Sequence, residues 1–121
     1  MRNFRELEVW KEAIKLVKKT YGFLEKLPST EKFGLYSQIA RSVVSIPANI
    51  AEGCAKKSQK EFVRFLEISL GSAFELETHL VICAELSFIE ESEIQILIKE
   101  IQILQKRISA LMNYSKSQIS S

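Results

Sequence analysis

A lone histidine, two cysteines and a few glutamates are the side chains whose types could do catalysis, and their spacing argues against it. His79 is the only histidine, and the chain contains no Asp to orient it. With no Gly-x-Ser-x-Gly turn to present a nucleophile, no catalytic triad can be assembled. His79 therefore reads as a satisfied or partly exposed helix histidine. Cys54 and Cys83 stand far apart without metal-ligand spacing. They read as reduced thiols in small core positions, as in a cytoplasmic protein. Glu67 and Glu75 fall on one helix face with Gly71 and Thr78, while Glu75 and Glu77 do not share a face. A di-metal bundle needs Glu-x-x-His pairs on two helices, and none is present. There is no glycine-rich phosphate loop, dinucleotide fingerprint or His-Glu-x-x-His. The expectation is a chain with no catalytic residue, no cofactor and no metal.

The basic residues carry a different chemistry, electrostatic contact with phosphates. Lys56, Lys57, Lys60 and Arg64 gather where a helix is expected to begin, and a helix N-terminus adds partial positive charge. Lys11, Lys15, Lys18 and Lys19 form a second strip. Nothing resembles a base-reading motif, so contact with RNA or another nucleic acid would be electrostatic and weakly specific. Both strips are equally compatible with a solvated helix face. The charge is unevenly spread: residues 1–64 hold 13 Lys/Arg against 7 Glu, and residues 65–121 hold 4 against 8. From Phe65 to Ile98 there is no basic residue. Such asymmetry suits steering of a polyanion or head-to-tail self-association, and also internal balance if the two halves lie side by side.

Helices must position these groups. With four Gly, two Pro and many Leu, Ile, Glu, Lys and Ala, the composition is that of one all-α domain. Four helices are predicted, over about residues 5–25, 30–53, 58–86 and 91–113, with a frayed tail over 114–121. The first buries Leu7, Trp10, Ile14, Val17, Tyr21 and Leu24. Pro28 ends it, and Ser29 or Thr30 caps the second, whose core stripe is Tyr36, Ile39, Val43, Ile46 and Ile50. Pro47 lies inside that helix at a cost of about 3 kcal/mol, with Ser45 and Asn49 placed to satisfy freed backbone groups and Gly53 as a stop. Ser58 with Glu61 forms a capping box for the third helix, which runs through Phe62, Phe65, Leu66, Ser69, Ala73, Leu76, Leu80 and Ala84. Gly71-Ser72-Ala73 offers close helix approach. Ser92 with Gln95 repeats the capping signature ahead of Ile94, Leu97, Ile98, Ile101, Leu104, Ile108, Leu111 and Met112. Short loops between long helices predict an antiparallel up-down-up-down four-helix bundle. No apolar run reaches the roughly 18–20 residues of a membrane span.

Two surfaces look designed for contact rather than for water. Between Lys32 and Glu52 the only charged side chain is Arg41. Arg41, Ser45, Asn49 and Glu52 lie along one line of the second helix, opposite its core stripe. A solvated face would carry Lys and Glu at every turn, so this line is a candidate subunit contact, or else a polar seam inside one bundle. Ile96, Ile103 and Ala110 form a second, seven-residue-spaced stripe that a monomer does not need.

The chain also resembles the 23S ribosomal RNA intervening-sequence proteins from about Phe4 to Leu111. The resemblance is carried by Phe4-Arg5-Glu6-Leu7-Glu8-Val9-Trp10, Glu31-Lys32-Phe33-Gly34-Leu35, Gln38-Ile39-Ala40-Arg41 and above all Ser45-Ile46-Pro47-Ala48-Asn49-Ile50-Ala51-Glu52-Gly53. Lys60-Glu61-Phe62-Val63-Arg64-Phe65-Leu66 and Gly71-Ser72-Ala73-Phe74-Glu75-Leu76-Glu77-Thr78 complete it. The resemblance implies a bacterial four-helix bundle that assembles as a homopentamer, without established catalytic activity, as a binding or scaffolding module for RNA. A similar bundle is the accessory subunit of a reverse transcriptase in diversity-generating retroelements, which the resemblance implies as the alternative. The family pattern has two arginines where this chain has Ala40-Arg41, and Gly-Arg where it has Ala55-Lys56, so bidentate phosphate contacts are fewer here.

Overall fold

The computed structural model describes residues 2–119. Among these residues there are four α-helices and no strand: α1 (Glu8–Leu24), α2 (Leu35–Cys54), α3 (Gln59–Glu85) and α4 (Glu91–Ser117), with short 3-10 turns at Phe4–Glu6 and Ser29–Glu31. Each α-helix packs on two others. α2 and α3 make the most extensive backbone approach and α1 and α4 the least, while the backbones of α1 and α3, and of α2 and α4, do not approach within 8 Å between Cα atoms. The four helices thus enclose one core, built from Leu16, Ile39, Ile46, Ile50, Phe62, Leu66, Leu76, Leu80, Ile94, Ile101 and Ile108.

The predicted stripes of α2, α3 and α4 face this core, but α1 is turned. Its buried residues are Val9, Ala13, Leu16, Thr20 and Leu24. Ile14 and Tyr21, expected inside, are 43% and 41% exposed, and Leu7, Trp10 and Val17 are half-buried. The apolar arc of α1 is wide, and the neighbours approach where Ala13 and Thr20 leave room. Larger side chains are left on the flank.

The helix ends also differ in part from expectation. The second helix begins at Leu35 rather than near residue 30. Its predicted caps, Ser29 and Thr30, lie in a 3-10 turn, where the amide of Glu31 donates to Pro28 and that of Gly34 to Glu31. Those three-residue backbone bonds interrupt the α-helical ladder until Gly34 is passed. Ser58 does cap α3: its Oγ accepts from the amide of Glu61 at 3.1 Å. Ser92 is not a cap, because α4 starts at Glu91 with Glu90 at the cap position. α4 runs on to Ser117 instead of fraying at residue 114, anchored by Ser115, which is buried. Residues 120 and 121 of the expected tail lie outside the described residues.

Gly53 does not stop α2, which reaches Cys54. It is buried, and a Cβ there would sit 2.8 Å from Cβ of Phe65 and 3.4 Å from the Phe62 ring. Gly53 is what lets α2 and α3 touch. Gly71, by contrast, is exposed with nothing within 4 Å of an added Cβ, so it permits no close approach within the chain. Its neighbours Ser72 and Ala73 make the interhelical contacts. α3 ends in a left-handed turn: Ser87 has φ 60°, and the amide of Phe88 donates to the carbonyl of Cys83 at 3.0 Å.

Candidate contact surfaces and nucleic-acid interface

The polar line of α2 divides in two. Ser45 and Asn49 are half-buried and turned toward α3, whereas Arg41 and Glu52 are exposed. Asn49 Nδ2 donates to the carbonyl and the Oγ of Ser45, both at 2.8 Å. Ser45 Oγ lies 2.8 Å from Ser72 Oγ, and Ser72 Oγ donates to the carbonyl of Ile68 at 3.2 Å. Each hydroxyl has one proton. Ser72 directs its own at Ile68, so Ser45 is the donor between the two. The result is an ordered chain from Asn49 through Ser45 and Ser72 to the α3 backbone.

Below this seam, Ser69 is fully buried and its Oγ donates to the carbonyl of Ile46 at 2.9 Å, while Ser42 donates to Ile39 at 3.0 Å. These bonds surround Pro47, which is buried inside an unbroken helix. The carbonyl that Pro47 deprives of a donor is that of Val43. Asn49 serves Ser45 instead, so the expected repair of the break is offset by two residues.

The seam between α1 and α4 is open. Three ion pairs cross it: Glu12 with Arg107, Lys19 with Glu100 at 2.6 Å and Lys26 with Glu93 at 2.5 Å. The residues step by seven, along α4 on one side and along α1 to Lys26 just past its end on the other. As the α1 numbers rise, their α4 partners fall. Between the bridges lie two hollows. One of about 300 Å³ is lined by Leu16, Ile103 and Leu104, and another of about 350 Å³ by Gly22, Phe23 and Ile96. Ile96 and Ile103 are 68% and 52% exposed, and Ala110 is exposed as well.

The two basic strips differ in environment. Lys11, Lys15, Lys18 and Lys19 are all exposed along α1, but Lys11 lies 3.5 Å from Glu8 and Lys19 is bound to Glu100. Lys56, Lys57, Lys60 and Arg64 have no ion pair among the described residues. Two cations that spacing along the chain did not bring to notice join them. The guanidinium of Arg2 sits 3.9 Å over the ring of Phe62, and the Arg2 amide donates to the carbonyl of Cys54 at 3.2 Å. Lys116, at the end of α4, lines with Lys60 and Arg64 a concavity of about 520 Å³ that also includes Glu61 and Glu67. Lys56 lies 5.0 Å over Phe65. Arg2 and Lys56 thus lie over Phe62 and Phe65, while Lys60, Arg64 and Lys116 line the concavity, two cationic groups around the start of α3. Only the Lys56–Arg64 portion is contiguous in sequence.

His79 is half-buried on α3, the partly exposed of the two settings expected, and both ring nitrogens are covered without a hydrogen-bond partner among the described residues. No group of three His, Cys, Asp or Glu among those residues is placed to hold a metal. Cys54 and Cys83 are both buried. Burial pushes the Cys54 thiol upward against the opposing charge of Arg2, and burial aided by Glu31 pushes Cys83 upward, so neither is an activated nucleophile. No helix among the described residues is long and apolar enough to cross a membrane.

Among the described residues, four helices around one core, with polar seams and charged surfaces, define an all-α helical-bundle protein. The chain belongs to the 23S rRNA-intervening sequence protein family, which it matches over residues 5–110. It is similar in fold to a protein of unknown function from the S23 ribosomal protein family of Bacteroides thetaiotaomicron VPI-5482. The TM-score is 0.80 at 23% identity, covering 86% of this chain and 97% of the other. No curated protein matches the chain.

Proposed function

We propose that this chain is a non-enzymatic, cytoplasmic bundle of antiparallel, up-down-up-down helices that assembles with itself and holds RNA at its cationic end. The descending partner numbers of Glu12–Arg107, Lys19–Glu100 and Lys26–Glu93 support the antiparallel order. The family resemblance supports a homopentamer. Arg41, Ser45, Asn49 and Glu52, together with Ile96 and Ile103, are the proposed subunit contacts, supported by a nearly charge-free α2 and by the exposure of both isoleucines.

The observation that carries the RNA reading is the gathering of Lys60, Arg64 and Lys116 at one concavity by the start of α3, with Lys56 and Lys57 preceding it in sequence and Arg2 over the Phe62 ring. Cations without an ion pair among the described residues, beside the positive end of a helix, hold phosphates by releasing counterions. The α1 strip of Lys11, Lys15, Lys18 and Lys19 is assigned a secondary part, since two of its four members are paired.

Fluorescence anisotropy with a structured RNA at about 50 and about 200 mM salt tests this. Binding should weaken steeply with salt. Lys60→Glu with Arg64→Glu should lower the salt slope by about two, one for each phosphate contact removed. No binding at the lower salt, or binding indifferent to salt, rejects the RNA role.

A further inference from the structure

Two exposed faces lie on opposite sides of the bundle and match in length and complement each other in charge. α1–α4 and α2–α3 are opposite sides because the backbones of neither diagonal pair approach within 8 Å between Cα atoms. On the α4 side of the first, Ile96, Ile103 and Ala110 repeat every seven residues, flanked by Lys99 and Lys106 at the same spacing, and all five are exposed. On α3, Ile68, Glu75 and Ile82 also repeat every seven residues and are exposed. Each stripe spans about 21 Å of helix, from fourteen residues at about 1.5 Å each. One offers apolar contacts with cations and the other apolar contacts with a carboxylate. Lys99, Lys106 and Glu75 form no ion pair among the described residues.

The charge of the α3 stripe follows from the sequence. No Lys or Arg occurs between Phe65 and Ile98, so the outer side of α3 beyond Arg64 carries glutamates alone. Seven-residue spacing is the repeat by which two helices lie along each other at a small crossing angle. An apolar strip with a charge of one sign recognises an apolar strip with charge of the other and disfavours a copy of itself, because like charges would oppose. Both strips belong to one chain, so the occupant of each is a second copy of this chain.

We infer that the α3 stripe Ile68–Glu75–Ile82 of one copy seats on the α4 stripe Ile96–Ile103–Ala110 of the next, with Glu75 facing the lysines that flank it. This rests on the self-association reading above and states which faces meet. The contact joins two different surfaces, so every added copy leaves one of each free. Growth stops only when the rotation between copies closes a ring. The Ser45–Ser72 bond fixes α2 beside this strip, which places the polar line of α2 along its border.

Charge reversal tests the pairing. Glu75→Lys and Lys106→Glu alter exposed side chains without internal ion pairs, so circular dichroism should show unchanged helix content in both. Sedimentation velocity over a concentration series should show wild-type assembly, weakened about tenfold or more in each single variant. Assembly should recover in part when both changes are in one chain, because the charges at positions 75 and 106 are again opposite while Lys99 is unchanged. If either single reversal leaves assembly within about twofold of wild type, or if the double variant recovers none of it, this pairing of faces is wrong while self-association stands. A wild-type monomer at tens of micromolar overturns both readings.

Discussion

Replacing Gly53 by Ala separates two physical effects that usually act together. In a helix interior Ala is favoured over Gly by about 1 kcal/mol, so the substitution alone should stabilise α2. The new Cβ, however, would stand 2.8 Å from Cβ of Phe65, an atom fixed to the α3 backbone, and 3.4 Å from the carbonyl oxygen of Phe62. A flexible side-chain tip could turn away, but a Cβ cannot, so the helices must part. Over-packing of a close-packed core costs about 1–3 kcal/mol, and this contact belongs near the upper end. The net expectation is a loss of about 1–2 kcal/mol. Gly71→Ala is the control, because nothing lies within 4 Å of its added Cβ and only the propensity gain of about 1 kcal/mol remains. Urea unfolding followed by circular dichroism reads both. With a slope of about 1–3 kcal/mol per molar, each kcal/mol moves the midpoint by about 0.3–1 M. Measurement at two protein concentrations separates any contribution from assembly. If Gly53→Ala stabilises as much as Gly71→Ala, the α2–α3 contact does not depend on a missing side chain and the reasoning fails.

Three further expectations follow from named geometry. Ser87 holds φ 60° without being glycine, a conformation that costs an L-residue roughly 1–2 kcal/mol, so Ser87→Gly should raise the melting temperature by a few degrees; an unchanged or lower value would show that the serine side chain compensates. Ser69→Ala removes a fully buried hydroxyl from the Ile46 carbonyl and should cost about 1 kcal/mol in urea titration, whereas neutrality would mean the bond contributes nothing net. Both thiols have pKa values raised in the folded state, so above about pH 8.5 the unfolded chain loses these protons first. Stability should therefore be fully present below that pH and decline above it. A double Cys54→Ala, Cys83→Ala variant should lose this alkaline component, and an identical alkaline slope in the variant would assign it elsewhere.

The sequence was most legible where apolar residues are large and the opposite face is plainly polar. The stripes of α2 and α4 face the core as periodicity predicts, because Ile39, Val43, Ile46 and Ile50, like Ile94, Leu97, Ile98, Ile101 and Ile108, form a broader and denser apolar face than Val44 on α2 or Ile96 and Ile103 on α4. α1 misleads because hydrophobicity and burial diverge: Ala13 and Thr20 are buried because they are small, while Ile14 and Tyr21 are displaced to the flank. Gly53 and Gly71 exchange the roles expected of them for a related reason. A glycine's use depends on what stands opposite it, which is a property of tertiary packing. The cations around the start of α3 were half legible: Lys56 to Arg64 is a local cluster, but Lys116 is brought to Lys60 and Arg64, and Arg2 to Phe62, only by the fold. The seam Asn49–Ser45–Ser72 was legible only within α2, where Asn49 and Ser45 share one line; Ser72, 27 residues from Ser45, is brought to it by the fold.

The unequal packing of the four helices gives the bundle a stiff side and a soft one. The α2–α3 pair is held by a glycine-permitted close approach, a buried Ser69 bond and the Asn49–Ser45–Ser72 chain, whereas α1 and α4 meet across hollows and exposed ion pairs. Exposed pairs contribute little and weaken with salt. Thermal fluctuation should therefore unzip this molecule along one edge, with amide protons on α1 and on the first turns of α4 exchanging with solvent well before those at the middle of α2 and α3. Raising ionic strength should widen that difference, so the same salt that loosens a bound polyanion would also loosen the edge opposite the α2–α3 pair.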